Sequence, residues 1–348
     1  SGVDIQNNTF VDAGGRVVRE DGSFGTTGGS IYGSYLRDSE IAHNRFETTG
    51  TRPGNNVYGI KGRQFRDSRL HHNTIDTNFA IELPFENDDG VEIDHNWLDG
   101  TVSVPKFAGG PPADDDGQPA FHLHHNYFTR AYSIEGARND IVIESNVFDI
   151  DVNDDTGNLI ASFGNNRSPE AEGPLTFRDN LVLNPGRGVF WSDVVYNNLT
   201  FTNNHIVADE TTPSEFPIGL FGFRVANLVD EGQETDFETI TIADNIIEIL
   251  GSGRDLLRND ESAGANISNN ELTNVTDVGD YANELTGEPR GLVSPLVFSV
   301  GVNGEFLIDS RALLAEVPEP STAAVVLLPV LLGRLVRRRG DRRVSTTA

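Results

Sequence analysis

The chain has 348 residues, a net charge of −27, and neither cysteine nor methionine. A disulfide scaffold, a thiol nucleophile and a Cys-ligated zinc site are therefore excluded. The excess of 53 acids over 26 bases repels nucleic acid and anionic membranes. Only Lys61 and Lys106 are lysines, and the other basic residues are arginines. That bias fits either a salt-adapted protein or a genomic base-composition preference. The length is ample for a buried core.

From the first residues onward a motif recurs, apolar-x-x-Asn-x-apolar. It begins as Ile5-Asn8-Phe10 and Ile41-Asn44-Phe46, then Leu70-Asn73-Ile75, Ile93-Asn96-Leu98 and Leu123-Asn126-Phe128. It goes on through Ile143-Asn146-Phe148, Phe177-Asn180-Val182, Phe201-Asn204-Ile206, Ile242-Asn245-Ile247 and Ile267-Asn270-Leu272. A fixed motif at unequal spacing describes stacked strands joined by loops of variable length. Short β-branched runs such as ITIADNIIEI read as strands. The Asn is expected to take the left-handed conformation of a sharp turn and to bond its amide to the Asn above and below. The chain opens inside a repeat, at SGVDIQNN, so an N-terminal part with its cap is expected to precede it.

The Gly-rich stretch 13–33 is the first long loop. The segments 107–119, 151–173 and 208–236 are the others, and loops of this kind gather on one face and wall a groove. A second strand precedes several motifs: YGIKGR (58–63), FAIELP (79–84), TVSVPK (101–106), AYSIEGAR (131–138) and NLIASF (158–163). With Ile60, Ile81 and Ile134 turned inward, alternation turns Lys61, Arg63, Glu82 and Glu135 outward. Tyr58, Lys106 and Arg138 belong to the same set of strands.

The stretch 51–72 contradicts the overall charge. It holds Arg52, Lys61, Arg63, Arg66 and Arg69 against the single acid Asp67. Such an island suits a uronate or a sulfate. Its plain alternative is pairing with acids of neighbouring repeats, such as Glu82, Glu86 and Asp88. His43, His72, His95 and His125 each stand just before a motif Asn, with His71 and His124 one place earlier and His122 nearby. This column reads as a structural ladder, as a catalytic or substrate-contacting group, or as a chelate for a transition metal; no residue is assigned as a metal ligand. Acid clusters at 88–89, 114–116 and 149–155 could offer oxygen ligands to Ca2+, or be solvated loop charge. Trp97, Trp191 and the run Phe216-Phe221-Phe223 could stack on sugars or fill the core.

At the far end, VPEPSTAAVVLLPVLLGRLVRRRGDRRVSTTA (317–348) joins Pro318-Glu319-Pro320, an apolar run and an arginine cluster. This order resembles the PEP-CTERM sorting signal, which exosortase recognises. The resemblance implies export, transient membrane insertion through the tail, and a destination at the cell surface or in the extracellular matrix. The apolar run is short for a full span.

The ten motif copies make residues 1–300 resemble the right-handed parallel β-helices of the pectate-lyase-like superfamily. That resemblance implies an all-β solenoid of roughly ten coils with an Asn ladder, an end cap and linker over 301–316, and the sorting segment after it. The motifs of polygalacturonases, pectate lyases and mannuronan epimerases are absent. The chain is similar instead to β-helix lyases that pair a Lys base with an Arg acid. That similarity implies an acidic polysaccharide as partner, with Lys61 as base, Arg63 and Arg66 facing the uronate carboxylate, and His72 or Tyr58 as rival base or acid. Tyr58, Arg69, Glu82, Lys106, Glu135 and Arg138 would then contact substrate. The rival readings are a non-enzymatic surface or adhesion rod, and a glycoside hydrolase using Glu82 and Glu135 as paired carboxylates.

Overall fold

A computed structural model describes residues 2–12, 17–18, 24–25, 30–33, 36–48, 57–62, 65–83, 89–104, 119–130, 133–136, 140–150, 160–163, 170–185, 188–192, 195–208, 220–223, 240–249, 256–259, 265–273, 275, 297–300 and 306–309. Among them there is no helix, and the strands build long parallel sheets, an arrangement consistent with a parallel β-helix. Sheet A collects the strands that precede each motif Asn, among them Glu40–Ala42, Phe65–His71, Asp89–Asp94, Phe121–His124, Ile141–Glu144 and Glu170–Arg178. Sheet B collects those that come after it, from Thr9–Val11 and Arg45–Glu47 to Glu271–Thr273. Sheet C is formed by Ile31–Gly33, Tyr58–Gly62, Ile134–Gly136, Ala161–Phe163, Phe190–Ser192, Phe221–Phe223 and Leu257–Asn259. The strands Thr74–Glu82 and Trp97–Ser103 run from B into C, with register shifts on the way.

Period-two alternation decides which side chains face in. Ile60, Ile81 and Ile134 are fully buried, as are Leu70, Ile93, Leu123 and Ile143 of sheet A. Aromatic rings stack from one repeat to the next inside: Phe10 on Phe46 at 4.8 Å between centroids, Phe128 on Phe148 at 4.7 Å, Phe148 on Phe177 at 5.8 Å. Each buried Phe contributes about 1.5–3 kcal/mol through area removed from water. Repetition turns that into one continuous core. Phe221 belongs to this core, and Trp97 packs against the buried pair Tyr127 and Val147. Phe216 lies outside the described residues.

The ten motif asparagines carry a continuous line of amide hydrogen bonds from Asn8 to Asn270. Asn126 shows the pattern. Its Oδ1 accepts from the backbone N–H and the Nδ2 of Asn96 (3.1 and 3.0 Å), and its Nδ2 donates to Ile93 O and Asn146 Oδ1 (2.8 and 3.0 Å). Every rung repeats this exchange with the next. Buried amides are tolerated because their donors and acceptors are all engaged.

The turn geometry corrects one expectation. The left-handed residue of each turn is the one before the Asn, not the Asn itself. Asn7, His43, His72, His95, His125, Ser145, Asp179, Asn203, Asp244 and Asn269 all have φ between 54° and 58°. The motif Asn must point inward to bond its neighbours, so the reversal of direction falls on the preceding position. Asn, Asp and His are the non-glycine residues most often found there.

Two antiparallel pairs stand apart from the parallel sheets: Val17–Val18 with Phe24–Gly25, inside the first Gly-rich loop, and Val297–Val300 with Phe306–Asp309. The second crosses position 300, where the end cap was expected to begin. The sorting segment 317–348, with Pro318, Glu319 and Pro320, lies outside the described residues, and so do the loop stretches 107–118 and 209–219. No helix among the described residues is long and apolar enough to cross a membrane.

Candidate functional site

Strand pairing divides the sequence-predicted residues between two surfaces. On sheet C, register aligns Tyr32, Lys61, Glu82, Ser103, Glu135, Ser162 and Trp191 in one row. Sheet A receives Arg66, Arg69, His71, His122 and His124, and the turns after its strands carry His43, His72, His95 and His125. Of the basic stretch, the described residues Lys61 and Arg66 with Arg69 are thus on different sheets, and Arg52 and Arg63 lie outside the described residues. Lys61 lies in strand Tyr58–Gly62 of sheet C and Arg66 in strand Phe65–His71 of sheet A.

Within the sheet C row, Lys61 Nζ lies 2.6 Å from Glu82 Oε2 and 3.9 Å from the centroid of the Tyr58 ring. Lys61 and Glu82 side chains are 19% and 16% exposed and Glu135 is 6% exposed, so these three turn away from the core yet are largely covered, whereas Tyr32 at the head of the row is exposed. Ser103, between the two glutamates, is fully buried, and its Oγ has no hydrogen-bond partner among the described residues. Burial, reinforced by Glu82 and Glu135, pushes the Tyr58 phenol up to about 12. Tyr58 is thus a proton donor across the physiological range and not a base. Glu82 and Glu135 are two rungs apart, about 9.6 Å between their backbones at ordinary strand spacing.

Arg63, Lys106 and Arg138 lie outside the described residues. Their sequence positions still relate them to the row. Within three residues after Lys61, Glu82, Ser103 and Glu135, the only charged residues are these three cations.

On sheet A, Arg69 grips Asp94 with two bonds of 2.8 Å and reaches Glu92 at 3.3 Å. Arg66 pairs in register with Arg37 on one side and Asp89 on the other. The partners of Arg69 are thus acids of the next repeat, Asp94 and Glu92, not the Glu82, Glu86 and Asp88 considered from sequence. Burial alone would raise the Asp94 carboxyl, but the bonds from His95 and Arg69 outweigh it and hold the group well below the ordinary carboxylate range. His124 likewise lowers Glu92.

The histidines form two adjoining files. The rings of His43, His72, His95 and His125 succeed one another at 5.0, 4.9 and 5.1 Å, the last two steps within 3° of parallel. Beside them runs the file His71, Asp94, His124 and Glu144, aligned by strand register. In each of three successive rungs the inner residue touches its outer neighbour: His71 Nδ1 to His72 Nδ1 at 2.7 Å, Asp94 Oδ2 to His95 Nδ1 at 2.6 Å, and His124 Nδ1 to His125 Nδ1 at 2.8 Å. Burial and the neighbouring imidazoles lower His72 and His125 to about 4, so both are neutral near pH 7. His72, the turn residue after strand Phe65–His71 of sheet A, does not share the row of Lys61. Of the acid clusters, Asp149 is buried and accepts a bond from the Tyr127 hydroxyl at 2.6 Å. Residues 88, 114–116 and 151–155 lie outside the described residues.

Sequence reasoning missed Ser103 and Asp94. TVSVPK written under FAIELP puts Ser103 beneath Ile81; the register shift between Phe79 and Ile81 is what brings it beside Glu82, and the sequence carries no signal for it. Asp94 occupies the position that His71 and His124 occupy in their repeats, so aligning the motifs exposes it. No protein-family model, curated protein or solved structure matches the chain.

Proposed function

We propose that this chain is an exported right-handed parallel β-helix of the pectate-lyase-like kind, with about ten coils, that engages an acidic polysaccharide along sheet C. The observation that supports this most is the row Lys61, Glu82, Ser103 and Glu135, with the Tyr58 ring against Lys61 and with Arg63, Lys106 and Arg138 trailing the row in sequence. Solenoid rungs repeat at about 4.8 Å, close to the scale of a sugar unit, so one row can meet successive residues of an extended glycan. A uronate carboxylate would compete with Glu82 for Lys61, and the trailing cations would hold its neighbours. Tyr58 would donate to a glycosidic or carboxylate oxygen. Cleavage by β-elimination would need Lys61 to be released from Glu82 before it could take the C5 proton. Binding is therefore the primary activity and elimination a consequence of displacing that pair.

The test is a glycan panel of alginate, pectate and glycosaminoglycans, read by binding and by absorbance of the unsaturated uronate product. Lys61→Ala should weaken binding by about tenfold, the worth of one charge-assisted contact. Glu82→Gln should strengthen it by freeing Lys61. Reducing ends without unsaturated product, lost in both Glu82→Gln and Glu135→Gln, would favour hydrolysis by the paired carboxylates. No binding to any member of the panel would leave the non-enzymatic surface rod as the better reading. The engagement of Lys61 and Arg69 with acids supports that alternative.

A further inference from the structure

The turn position before the motif Asn does not require histidine. The same backbone conformation is held by Asn7, Ser145, Asp179, Asn203, Asp244 and Asn269 in other repeats. Yet His43, His72, His95 and His125 occupy it in four successive repeats, and His71 stands behind His72. The side chains, not the turn, must account for the choice.

Their geometry is that of a ligand set. One ring nitrogen from each of His43, His71 and His72 lies within 4.8 Å of the others. His71 Nδ1 and His72 Nδ1 face each other at 2.7 Å. Nitrogens arranged tetrahedrally around zinc at about 2.1 Å are separated by about 3.4 Å, which falls between those two values. His71 Nε2 is engaged by Glu40 Oε1 at 2.8 Å. A carboxylate accepts, so with the His71 proton on Nε2 its Nδ1 lone pair accepts from the Nδ1–H of His72; a metal ion taken up between them would replace that hydrogen bond, with the His72 proton moving to Nε2 or to solvent. A carboxylate behind the distal nitrogen is the usual support for a metal-binding imidazole. His43 is exposed and His72 half-buried, which leaves an approach from solvent.

The neighbouring groups are less suited. His124 and His125 repeat the facing pair, with Glu92 behind His124 at 2.9 Å. There, however, the third imidazole, His95, already has its Nδ1 bonded to Asp94. The set Glu92, Asp94 and His124 has its central carboxylate held by Arg69 through two bonds.

We infer that His43, His71 and His72 form a binding site for a divalent transition metal of the zinc, copper or nickel type, with Glu40 orienting His71. Three imidazole ligands suit such an ion over calcium or magnesium, which require oxygen ligands. This site lies on sheet A and is independent of the glycan row on sheet C.

Titration of the untagged, chelator-stripped protein with zinc chloride should show saturable binding near one ion per chain. Cobalt(II) should give the visible ligand-field bands of a nitrogen-bound ion. His43→Asn and His72→Asn should each weaken zinc binding by about tenfold or more, and Glu40→Gln by roughly 10-fold. Asn is the native residue at this turn in other repeats, so both variants should melt in chelator as the parent does. His43→Asn, on an exposed side chain, keeps the test valid should His72→Asn fail to fold. His205→Gln, remote from the cluster, should change nothing. Absence of saturable binding, or affinity that survives both Asn substitutions, or an equal loss in His205→Gln, would overturn the assignment.

Discussion

At the scale of the residue, the histidine files impose a cost in acid. His125 is lowered to about 4 by burial first and by His124 and His95 next, while Glu144 and Asp94 oppose the shift. In the unfolded chain its pKa returns to the ordinary value of about 6.5. Above that value the residue is neutral in both states and costs nothing. As the pH falls from about 6.5 to 4 the unfolded state takes up the proton first, and native stability declines across that window. Replacing His125 by Asn, which the same turn carries at Asn203, should flatten the decline. The measurement is the urea midpoint at steps between pH 7 and pH 4, in chelator. Parallel curves for parent and variant would count against a half-buried His125 held neutral in the native state.

At the scale of the element, stability is distributed along the stack. Asn126 is fully buried and mediates between Asn96 and Asn146. Asn126→Ala removes the acceptor of two Asn96 donors and the donor to Ile93 O. Each buried polar group left unsatisfied costs about 1–3 kcal/mol, so the variant should lose about 3 kcal/mol or more. Asn8, exposed and at the start of the line, should lose far less on the same change. Chemical denaturation of the two variants separates a cooperative column from a row of independent turns; equal losses would favour the latter. The repetition that made the strands legible from sequence is the same one that makes this cost position-dependent. The motif pattern marked every buried Asn among the described residues, but it assigned the left-handed turn to the wrong residue of the pair. Spacing alone does not say which of two adjacent polar residues turns inward.

At the scale of the whole molecule, the acidic body and the arginine-rich tail are opposites. If 317–348 is an exosortase signal, a soluble reporter carrying it should be processed in a host with that pathway. Substitution of Pro318, Glu319 and Pro320 should then leave the precursor uncleaved on immunoblots of membrane fractions. Processing that persists would reduce the tail to a simple anchor.

Much of the architecture was written in the sequence, because a repeating motif repeats its environment. Strands, inward residues and the all-β class come from period-two alternation and from the apolar residues that flank each motif Asn. Sites are different, since they depend on which repeats become neighbours and in what register. Lys61 and Arg66 are five positions apart yet lie on separate sheets, while Lys61 and Glu82 are joined across a rung. Arg69 found Asp94 and Glu92 one rung away. His71 met Glu40 across 31 positions. Between 20 and 41 positions separate successive asparagines without altering the stack, so linear distance carries no information about contact. The local pattern of apolar and polar residues determined that the chain would stack. Only the tertiary register decided which charges would be neutralised and which imidazoles would face one another, because hydrogen bonding between strands, and not sequence proximity, sets those distances.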